Sequence, residues 1–324
     1  MCTAVTLQAN DHYFGRNLDL EYSYHEEVVI TPRNYPFHFR VLPTVVHHYA
    51  MIGMATVSDG YPLYYEATNE CGLSMGGLNF PGNACYNPMN SGKDNVAPFE
   101  LIPHILGSCA NITEATERLN RINIAEISFS EEFPLSSLHW IVADQDQSIV
   151  IEQTVNGLNI YDNPIGILTN NPPFPYHIEN LKNYIHLSPG DPKGVFSEAW
   201  KLCHYSRGQG AIGLPGDWSS ASRFVRAAFI KANSCSNDNE DSSVSQFFHI
   251  LNGVSMPRGC VMVDGKPEIT VYSCCCNTDK GIYYYTTYDN SQITAVDMYA
   301  EDLNGSELYT FPLSKTQIIK KMNR

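Results

Sequence analysis

Charged residues are scarce in this sequence, and a long apolar run is absent. Asp, Glu, Lys and Arg make up only 17 % of the 324 residues, and 20 basic against 34 acidic residues give a formal net charge of −14. An acidic protein repels phosphate backbones and anionic lipid headgroups, so we expect neither a nucleic acid nor a membrane as partner. The chain also lacks a secretory signal pattern and any apolar run that could cross a bilayer, which predicts a cytoplasmic protein.

Motifs for a metal site and for a P-loop are missing as well. The chain has ten cysteines, but none is spaced as CxxC, and no GK[ST] motif occurs. Three of the cysteines, Cys274, Cys275 and Cys276, are consecutive. Neighbouring residues on a strand point to opposite faces, so this run cannot close around one ion. We therefore expect no metal site.

The second residue of the chain is the feature with the most chemical information. An initiator methionine is usually removed when the next residue is small, so the mature chain is expected to lose Met1 and begin with Cys2. That residue would then have both a thiol and a free α-amine. An α-amine has a pKa of about 7.7–8.0 and can accept the proton of a thiol near neutral pH. Nucleophile and base would belong to one residue.

The residues after Cys2 predict a β-hairpin. Two apolar runs, Thr3–Leu7 and Tyr13–Leu20, flank a polar stretch. Arg16 and Asp19 lie on the second strand, beside the strand that begins with Cys2. A guanidinium near a thiolate lowers the pKa of the thiol, and a carboxylate can orient an α-ammonium group. The alternative is that Arg16 and Asp19 form a surface ion pair without a catalytic role.

The remaining periodicity alternates between strand and helix patterns. Apolar alternation predicts strands within residues 26–57, three antiparallel strands within 138–163, and further strands at 165–168, 267–276, 281–287 and 292–299. Helical spacing predicts helices within residues 97–123, 177–187, 219–232 and 243–252. No internal repeat or linker separates these segments. The order favours one α+β domain spanning residues 1–324.

Four polar residues stand out within this pattern. Asn79 lies in a glycine-rich stretch that predicts a bend open to a close backbone approach, or else an ordinary strand-turn-strand. Asn170 follows the strand at 165–168 and precedes two prolines, so its side chain is placed to face a cleft. A glycine-rich loop leads into the helix that contains Arg223. His139, beside a tryptophan, is expected to be a core histidine rather than a ligand.

Taken together, these motifs resemble the choloylglycine hydrolase family, the bile salt hydrolases and penicillin V acylases among the N-terminal-nucleophile hydrolases. The resemblance runs from end to end through MCTAVTL, FGRNLDLEYSY, GGLNFPG, LHWIVAD, NPIGILTNNP, GLPGDWSSASRFVRAAF, SQFFHILN and GIYYYTTYDNSQITAVDM. Each motif alone is weak, but their order and spacing are specific. The resemblance implies a four-layer αββα fold with two stacked, mainly antiparallel sheets, hydrolysis of an amide, no metal or organic cofactor, and a homotetramer.

The resemblance also assigns roles to residues of this sequence. The family's nucleophile matches Cys2, and its oxyanion-hole asparagine matches Asn170. The arginine beside the thiol, the aspartate that orients the α-amine, the loop asparagine and the second site arginine match Arg16, Asp19, Asn79 and Arg223. All six positions match, so the resemblance predicts acyl transfer through a covalent intermediate on Cys2.

The expected substrates are bile salts conjugated to glycine or taurine. Asn79 favours this choice, because the penicillin V acylases of the family tend to have tyrosine there. The substrate-pocket loops of the family match residues that are apolar, as a sterol body requires: Leu18, Tyr65, Phe129, Phe133 and Leu138. Three alternatives stay open. Phe129 and Phe133 could be core residues, the enzyme could be a penicillin V acylase, or the scaffold could bind a ligand without catalysis.

Overall fold

Strands dominate the computed structural model, which describes residues 1–236 and 238–323. The strands, in chain order, are Cys2–Gln8 (β1), His12–Leu20 (β2), Glu27–Thr31 (β3), Met51–Ser58 (β4), Tyr61–Asn69 (β5), Ser74–Asn79 (β6), Asp94–Val96 (β7), Ile122–Ile124 (β8), Leu138–Ala143 (β9), Ser148–Thr154 (β10), Gly157–Asp162 (β11), Ile167–Leu168 (β12), Met262–Val263 (β13), Lys266–Pro267 (β14), Ile269–Asn277 (β15), Ile282–Thr287 (β16), Asn290–Asp297 (β17) and Tyr309–Pro312 (β18).

The helices are short and lie between groups of strands. They are Leu101–Leu106 (α1), Ile112–Leu119 (α2), Phe174–Leu181 (α3), Ser220–Ala232 (α4) and Glu240–Asn252 (α5). Single 3₁₀ turns occur at Pro98–Glu100, Lys182–Tyr184, Gln209–Ala211 and Met298–Ala300. Within the described part of the chain, no helix combines the length and the apolar character needed to cross a membrane.

Two large antiparallel sheets form the centre of the fold. The first has six strands in the order β12-β1-β2-β15-β16-β17, and the second has eight in the order β11-β10-β9-β6-β5-β4-β3-β18. Both sheets contain only antiparallel pairs. The short pair β13–β14 is antiparallel, and the short pair β7–β8 is parallel.

Alternation along the strands divides the apolar residues between two cores. In β3, Val28 and Ile30 pack in the core between the sheets, whereas Val29 packs in the outer core with α1 and α2. Phe224 of α4 and Phe247 of α5 are buried against the six-stranded sheet. The layers are therefore helix, sheet, sheet and helix, which confirms the predicted αββα arrangement.

The structure confirms most of the predicted elements and corrects several boundaries. The N-terminal hairpin and the three antiparallel strands within 138–163 are present. The helix predicted at 177–187 begins earlier, at Phe174, because Pro175 fits the first turn of a helix. The helix predicted at 243–252 begins at Glu240, because the side chain of Asn239 caps it. The helical segment 97–123 is interrupted between α1 and α2.

The bend predicted around Asn79 is wrong. Residues Ser74–Asn79 form strand β6, which follows a turn at residues 70–72, and the chain turns again after Asn79, at Gly82, whose φ is +76°. The stretch is therefore the ordinary strand-turn-strand that was the alternative to the bend. The glycines of this strand serve close packing rather than turning. A Cβ on Gly77 would lie 3.1 Å from Nε1 of Trp140, so a larger residue would crowd the neighbouring strand.

A long irregular segment joins α3 to α4. We call residues 185–212 the arm; apart from the single 3₁₀ turn at Gln209–Ala211 they form no regular element. The stretch GQGAIG, residues 208–213, begins in the arm and ends one residue beyond it. It has the spacing of a dinucleotide-binding motif, but it does not follow a strand, so its context does not fit that function. The arm contains exposed apolar side chains, notably Val195, Phe196, Trp200 and Tyr205.

Candidate active site

Cys2 begins β1 and faces the space between the two sheets. It pairs with Leu18 across the hairpin, and its neighbour on the same face, Ala4, pairs with Arg16. Residues two apart on a strand share a face, so Arg16 lies diagonally across from Cys2. Only 2 % of Cys2 is exposed. The hairpin alone therefore brings the thiol and the guanidinium together.

The backbone of Cys2 is held on both sides. Its N–H donates to Oδ1 of Asn170 at 2.9 Å. Its carbonyl oxygen accepts from Nη1 of Arg223 at 2.5 Å, and the same nitrogen donates to Oγ1 of Thr3 at 2.6 Å. These contacts reach β1 from the loop after β12 and from α4, so they fix its first residue against the rest of the sheet.

Arg16 is fully buried and binds backbone carbonyls of the opposite sheet. Its Nη1 donates to Gly77 O at 2.5 Å and to Tyr65 O at 3.1 Å, and its Nε lies 3.7 Å from Oε2 of Glu66. Burial opposes the charge, but attraction to Cys2, Tyr272 and Glu66 outweighs it and raises the pKa of Arg16 above its usual value. Among the described residues its Nη2 has no hydrogen-bond partner. Arg16 therefore stays positively charged, and its Nη2 is free to interact with another group.

Asp19 lies on the opposite face of β2 and is also fully buried. Its Oδ1 accepts from Oγ1 of Thr270 at 2.6 Å, whereas its Oδ2 has no partner among the described residues. Burial raises the pKa of Asp19, against the opposing attraction of Arg223 and the N-terminal ammonium. An uncommitted carboxylate oxygen beside the start of the chain can accept from an α-ammonium group.

The structure retains Met1, and its ammonium group has its own partners. It donates to the backbone oxygen of Asp19 and forms an ion pair with the carboxylate of Glu268, which is buried. Burial raises the pKa of Glu268, and the attraction of the N-terminal ammonium opposes this rise. With Met1 present, the nitrogen of Cys2 is an amide. Only removal of Met1 would convert that nitrogen into an amine.

Asn79 and Asn170 approach each other beside Cys2. Nδ2 of Asn170 donates to Asn79 O at 2.8 Å, which leaves its second amide hydrogen available. Phe80 N–H donates to Ser137 O. The alternation of an antiparallel ladder therefore turns the N–H of Asn79 away from β9, toward the side where Asn170 lies. Two N–H donors thus lie on the side of β6 where Asn170 contacts the backbone of Cys2.

Within residues 1–236 and 238–323, the guanidinium of Arg223 makes four hydrogen bonds to protein atoms. Its Nε donates to Trp218 O at 2.9 Å, and its Nη2 donates to Oδ1 of Asn170 at 2.7 Å, in addition to the bonds to Cys2 and Thr3. It forms no ion pair with any described residue. Burial lowers its pKa, and the attractions of Asp19 and Cys2 oppose this only in part.

An apolar cavity opens at Cys2. Its volume is about 250 Å³, and Cys2, Asn79 and Gly77 form part of its wall. All five residues expected in the substrate pocket line it: Leu18, Tyr65, Phe129, Phe133 and Leu138. The Phe129 and Phe133 rings lie 6.1 Å apart, edge to face. Phe129 also packs against the outer core, so its two proposed roles are compatible.

Several residues that complete the site were not identified from the sequence. Glu66, Thr270 and Glu268 contact Arg16, Asp19 and the N-terminus across long sequence separations. Glu66 lies inside the apolar strand β5. A charged residue in such a run indicates a buried group with a partner, so this position could have been identified from the sequence. Cys274 to Cys276 are all buried, and no described group of three His, Cys, Asp or Glu side chains could hold a metal ion.

Comparisons with known proteins agree with this geometry. The family model for linear amide C–N hydrolases of the choloylglycine hydrolase family matches residues 2–311. A bile salt hydrolase/transferase from Lactiplantibacillus plantarum is 54 % identical over 314 residues, which is 97 % of each chain. A crystal structure of a mutant conjugated bile acid hydrolase from Clostridium perfringens superposes with a TM-score of 0.92 at 38 % identity, covering all of both chains.

A more distant structure shares the fold. Penicillin V acylase from Agrobacterium tumefaciens has a TM-score of 0.76 at 18 % identity, covering 97 % of this chain and 92 % of its own. Such low identity supports the architecture and nothing finer. The family match, the high identity over nearly the whole chain and the cysteine at the mouth of an apolar cavity lead to one assignment. The chain belongs to the choloylglycine hydrolase family of linear amide C–N hydrolases.

Proposed function

We propose that this enzyme hydrolyses the amide bond that joins a bile acid to glycine or taurine. The observation that carries the proposal is the position of Cys2, whose thiol lies in the wall of an apolar cavity beside Arg16 and the amide of Asn170. The apolar wall suits a sterol body, and the N–H donors suit an amide carbonyl under attack. The names of the relatives from Lactiplantibacillus plantarum and Clostridium perfringens support the same substrate class.

In the proposed mechanism the α-amine of Cys2, freed by removal of Met1, accepts the thiol proton. The thiolate attacks the amide carbon, an S–C bond forms, and the carbonyl oxygen becomes an oxyanion. Collapse of this intermediate breaks the C–N bond, and the α-ammonium gives its proton to the departing amino group. Water then attacks the thioester, which releases the bile acid and restores the thiol. Asp19, through its uncommitted oxygen, orients the α-ammonium.

The oxyanion would be held by the second amide hydrogen of Asn170 and the N–H of Asn79. The bond from Asn170 Nδ2 to Asn79 O would hold both donors in place before substrate binds, and preorganised donors are usually the largest source of stabilisation in acyl transfer. Arg16 stands opposite and favours the thiolate, because a guanidinium in a buried site is poorly screened. In this mechanism a cation stabilises the nucleophile, and neutral N–H donors stabilise the oxyanion.

The substrate class can be tested by comparing the turnover of glycocholate, taurocholate and penicillin V. The proposal expects kcat/KM for the bile salts to exceed that for penicillin V. The reverse order would assign the enzyme as a penicillin V acylase. Binding of glycocholate without any turnover, by protein whose Met1 is shown by intact mass to be absent, would instead support a ligand-binding protein.

Removal of Met1 is expected to be necessary for activity. A chain in which a protease recognition sequence replaces Met1, so that cleavage exposes Cys2, should be inactive until it is cut. Before cleavage the nitrogen of Cys2 is an amide and cannot accept the thiol proton; afterwards it is an amine. Glycocholate turnover and intact mass, followed in parallel, would check this. Equal turnover before and after cleavage would contradict the proposed base.

We also propose a homotetramer whose subunits are joined by the arm. Phe196 is 77 % exposed and Trp200 is 61 % exposed, an unusual density of apolar surface for residues close in sequence. Burying these side chains against another copy would stabilise an assembly. The double substitution Phe196→Ser and Trp200→Ser is expected to lower the molar mass measured by light scattering to that of a smaller species.

The matched control for the arm is Val155→Ser. Val155 is 84 % exposed but lies in the turn between β10 and β11, outside the arm, so this change should leave the molar mass unaltered. An unchanged mass in the double variant, or an equal loss of mass in the control, would contradict an assembly built by the arm.

A further inference from the structure

His139 lies in β9, behind the two segments that contain Asn79 and Asn170. Its ring is fully buried and stacks on Phe80, with the centroids 4.2 Å apart and the planes 6° apart. Its Nε2 lies 2.9 Å from the carbonyl oxygen of Thr169. Phe80 follows Asn79 and Thr169 precedes Asn170, so one imidazole contacts the immediate neighbour of each asparagine.

Hydrogen-bond chemistry fixes which nitrogen of His139 is protonated. A carbonyl oxygen only accepts, so Nε2 must carry the hydrogen that it shares with Thr169. Nδ1 lies 3.1 Å from Oε1 of Glu152, which also accepts from Phe174 N–H at 2.9 Å. One proton between Nδ1 and the carboxylate satisfies this contact whichever group holds it. In both cases Nε2 keeps its hydrogen, so Glu152 orients the ring toward Thr169.

The same loop is also held by contacts with the helices. Asn170 N–H donates to Oγ of Ser220 at 2.8 Å, and Nε2 of His177 lies 2.9 Å from Asn170 O. These contacts anchor the backbone of Asn170 to α3 and α4. Nδ2 of Asn170 also joins the loop directly to Asn79 O. His139 adds a fully buried connection between the loop and the end of β6, because its Nε2 donates to Thr169 O while its ring stacks on Phe80.

We propose that His139, oriented by Glu152, is a positioning residue that sets the spacing between the Asn79 and Asn170 segments and thereby aims the oxyanion donors. It does not line the cavity at Cys2, so it acts through these segments rather than on substrate. The inference rests on the proposed amide hydrolysis. Small errors of position at a reacting centre are costly, about 10²-fold in rate for a displacement of about 1 Å.

Replacement of His139 by phenylalanine tests this role, because the ring can still stack on Phe80 but cannot donate to Thr169. We expect kcat for glycocholate to fall by about 10²-fold, with KM changed by less than about 3-fold. The reason is that misaligned oxyanion donors bind the transition state more weakly but hardly affect binding of the substrate. Alkylation of Cys2 by iodoacetamide forms no oxyanion. Its rate, followed by peptide mass, should stay within about twofold of wild type.

Two amide variants keep the test decisive if the phenylalanine variant folds poorly. The amide nitrogen of His139→Gln can reach about as far as Nε2 of the imidazole, whereas that of His139→Asn is one bond too short. We expect the glutamine variant to have at least about ten times the kcat of the asparagine variant, at similar thermal stability. His104→Phe is the control, because His104 is another buried histidine, packed on Phe39 and away from Cys2.

Three results would overturn the inference. The first is a wild-type kcat in His139→Phe, and the second is an equal kcat in the glutamine and asparagine variants. The third is a parallel loss of alkylation and turnover, which would mean that His139 supports the nucleophile or the fold. Failure of the proposed function has a different signature, because the wild-type enzyme would then not hydrolyse glycocholate at all. A loss of kcat confined to the His139 variants, with His104→Phe active, supports the positioning role.

Discussion

Replacement of Cys2 by serine is expected to lower kcat on the order of 10³-fold or more while the fold stays intact. That loss corresponds to about 4 kcal/mol of transition-state stabilisation. An alcohol is far harder to deprotonate than a thiol, and the α-amine is too weak a base to generate an alkoxide near neutral pH. Arg16 cannot compensate, because it favours whichever anion forms but does not remove the proton. Stopped glycocholate assays with product detection would measure the residual rate.

The control for this substitution is Cys71→Ser, which makes the same atomic change at an exposed cysteine away from the cavity. It should keep wild-type kcat, KM and melting temperature. Cys2→Ala supplies the background rate without any nucleophile. If the serine enzyme turned over within tenfold of wild type, or if Cys71→Ser lost activity equally, Cys2 would not be the nucleophile.

The part of the site that the sequence predicts best is the part built by local structure. Cys2, Arg16 and Asp19 lie within one hairpin, and the short connection between its strands fixes their register. Alternation along β2 then places Arg16 and Asp19 on opposite faces, one toward the cavity and one toward the helices. The α+β class was predicted from the periodicity and order of the elements, whereas the αββα layering was predicted only through the resemblance of motifs.

The parts that the sequence does not predict depend on contacts between distant segments. Asn79 was expected in a bend because glycines commonly mark turns, yet here they allow β6 to pack closely against β9. Glu268 becomes a partner of the N-terminus only because β15 pairs with β2 and brings the end of β14 beside Met1. His139 was correctly expected to be a satisfied core histidine, but its link to two separate loops could not be derived from its neighbours in sequence.

Replacement of Arg223 by alanine is expected to lower kcat by about 10²-fold and to reduce thermal stability in the same variant. The buried guanidinium donates to the carbonyl of Cys2, the hydroxyl of Thr3 and the amide oxygen of Asn170. Its loss removes a donor from each of these buried acceptors, and only the amide oxygen of Asn170 keeps another partner in the described part of the chain, the N–H of Cys2. An acceptor that is left unpaired and that water does not reach costs about 1–3 kcal/mol. It also frees the nucleophile residue and the proposed oxyanion donor to move relative to each other, which a steady-state assay would detect as a lower kcat.

Arg226→Ala is the matched control for this prediction. Arg226 lies one turn further along α4 and likewise donates to backbone carbonyls, those of Gly253, Pro215 and Asp217, but none of these belongs to the site. We expect it to lose stability with kcat nearly unchanged, so the pair separates a general structural role from one that aligns Cys2 with Asn170. Because the donors of Arg223 are directed at the protein, KM for the anionic substrate should change little. A variant of Arg223 with raised KM and intact kcat would instead assign this cation to the glycine or taurine end of the substrate.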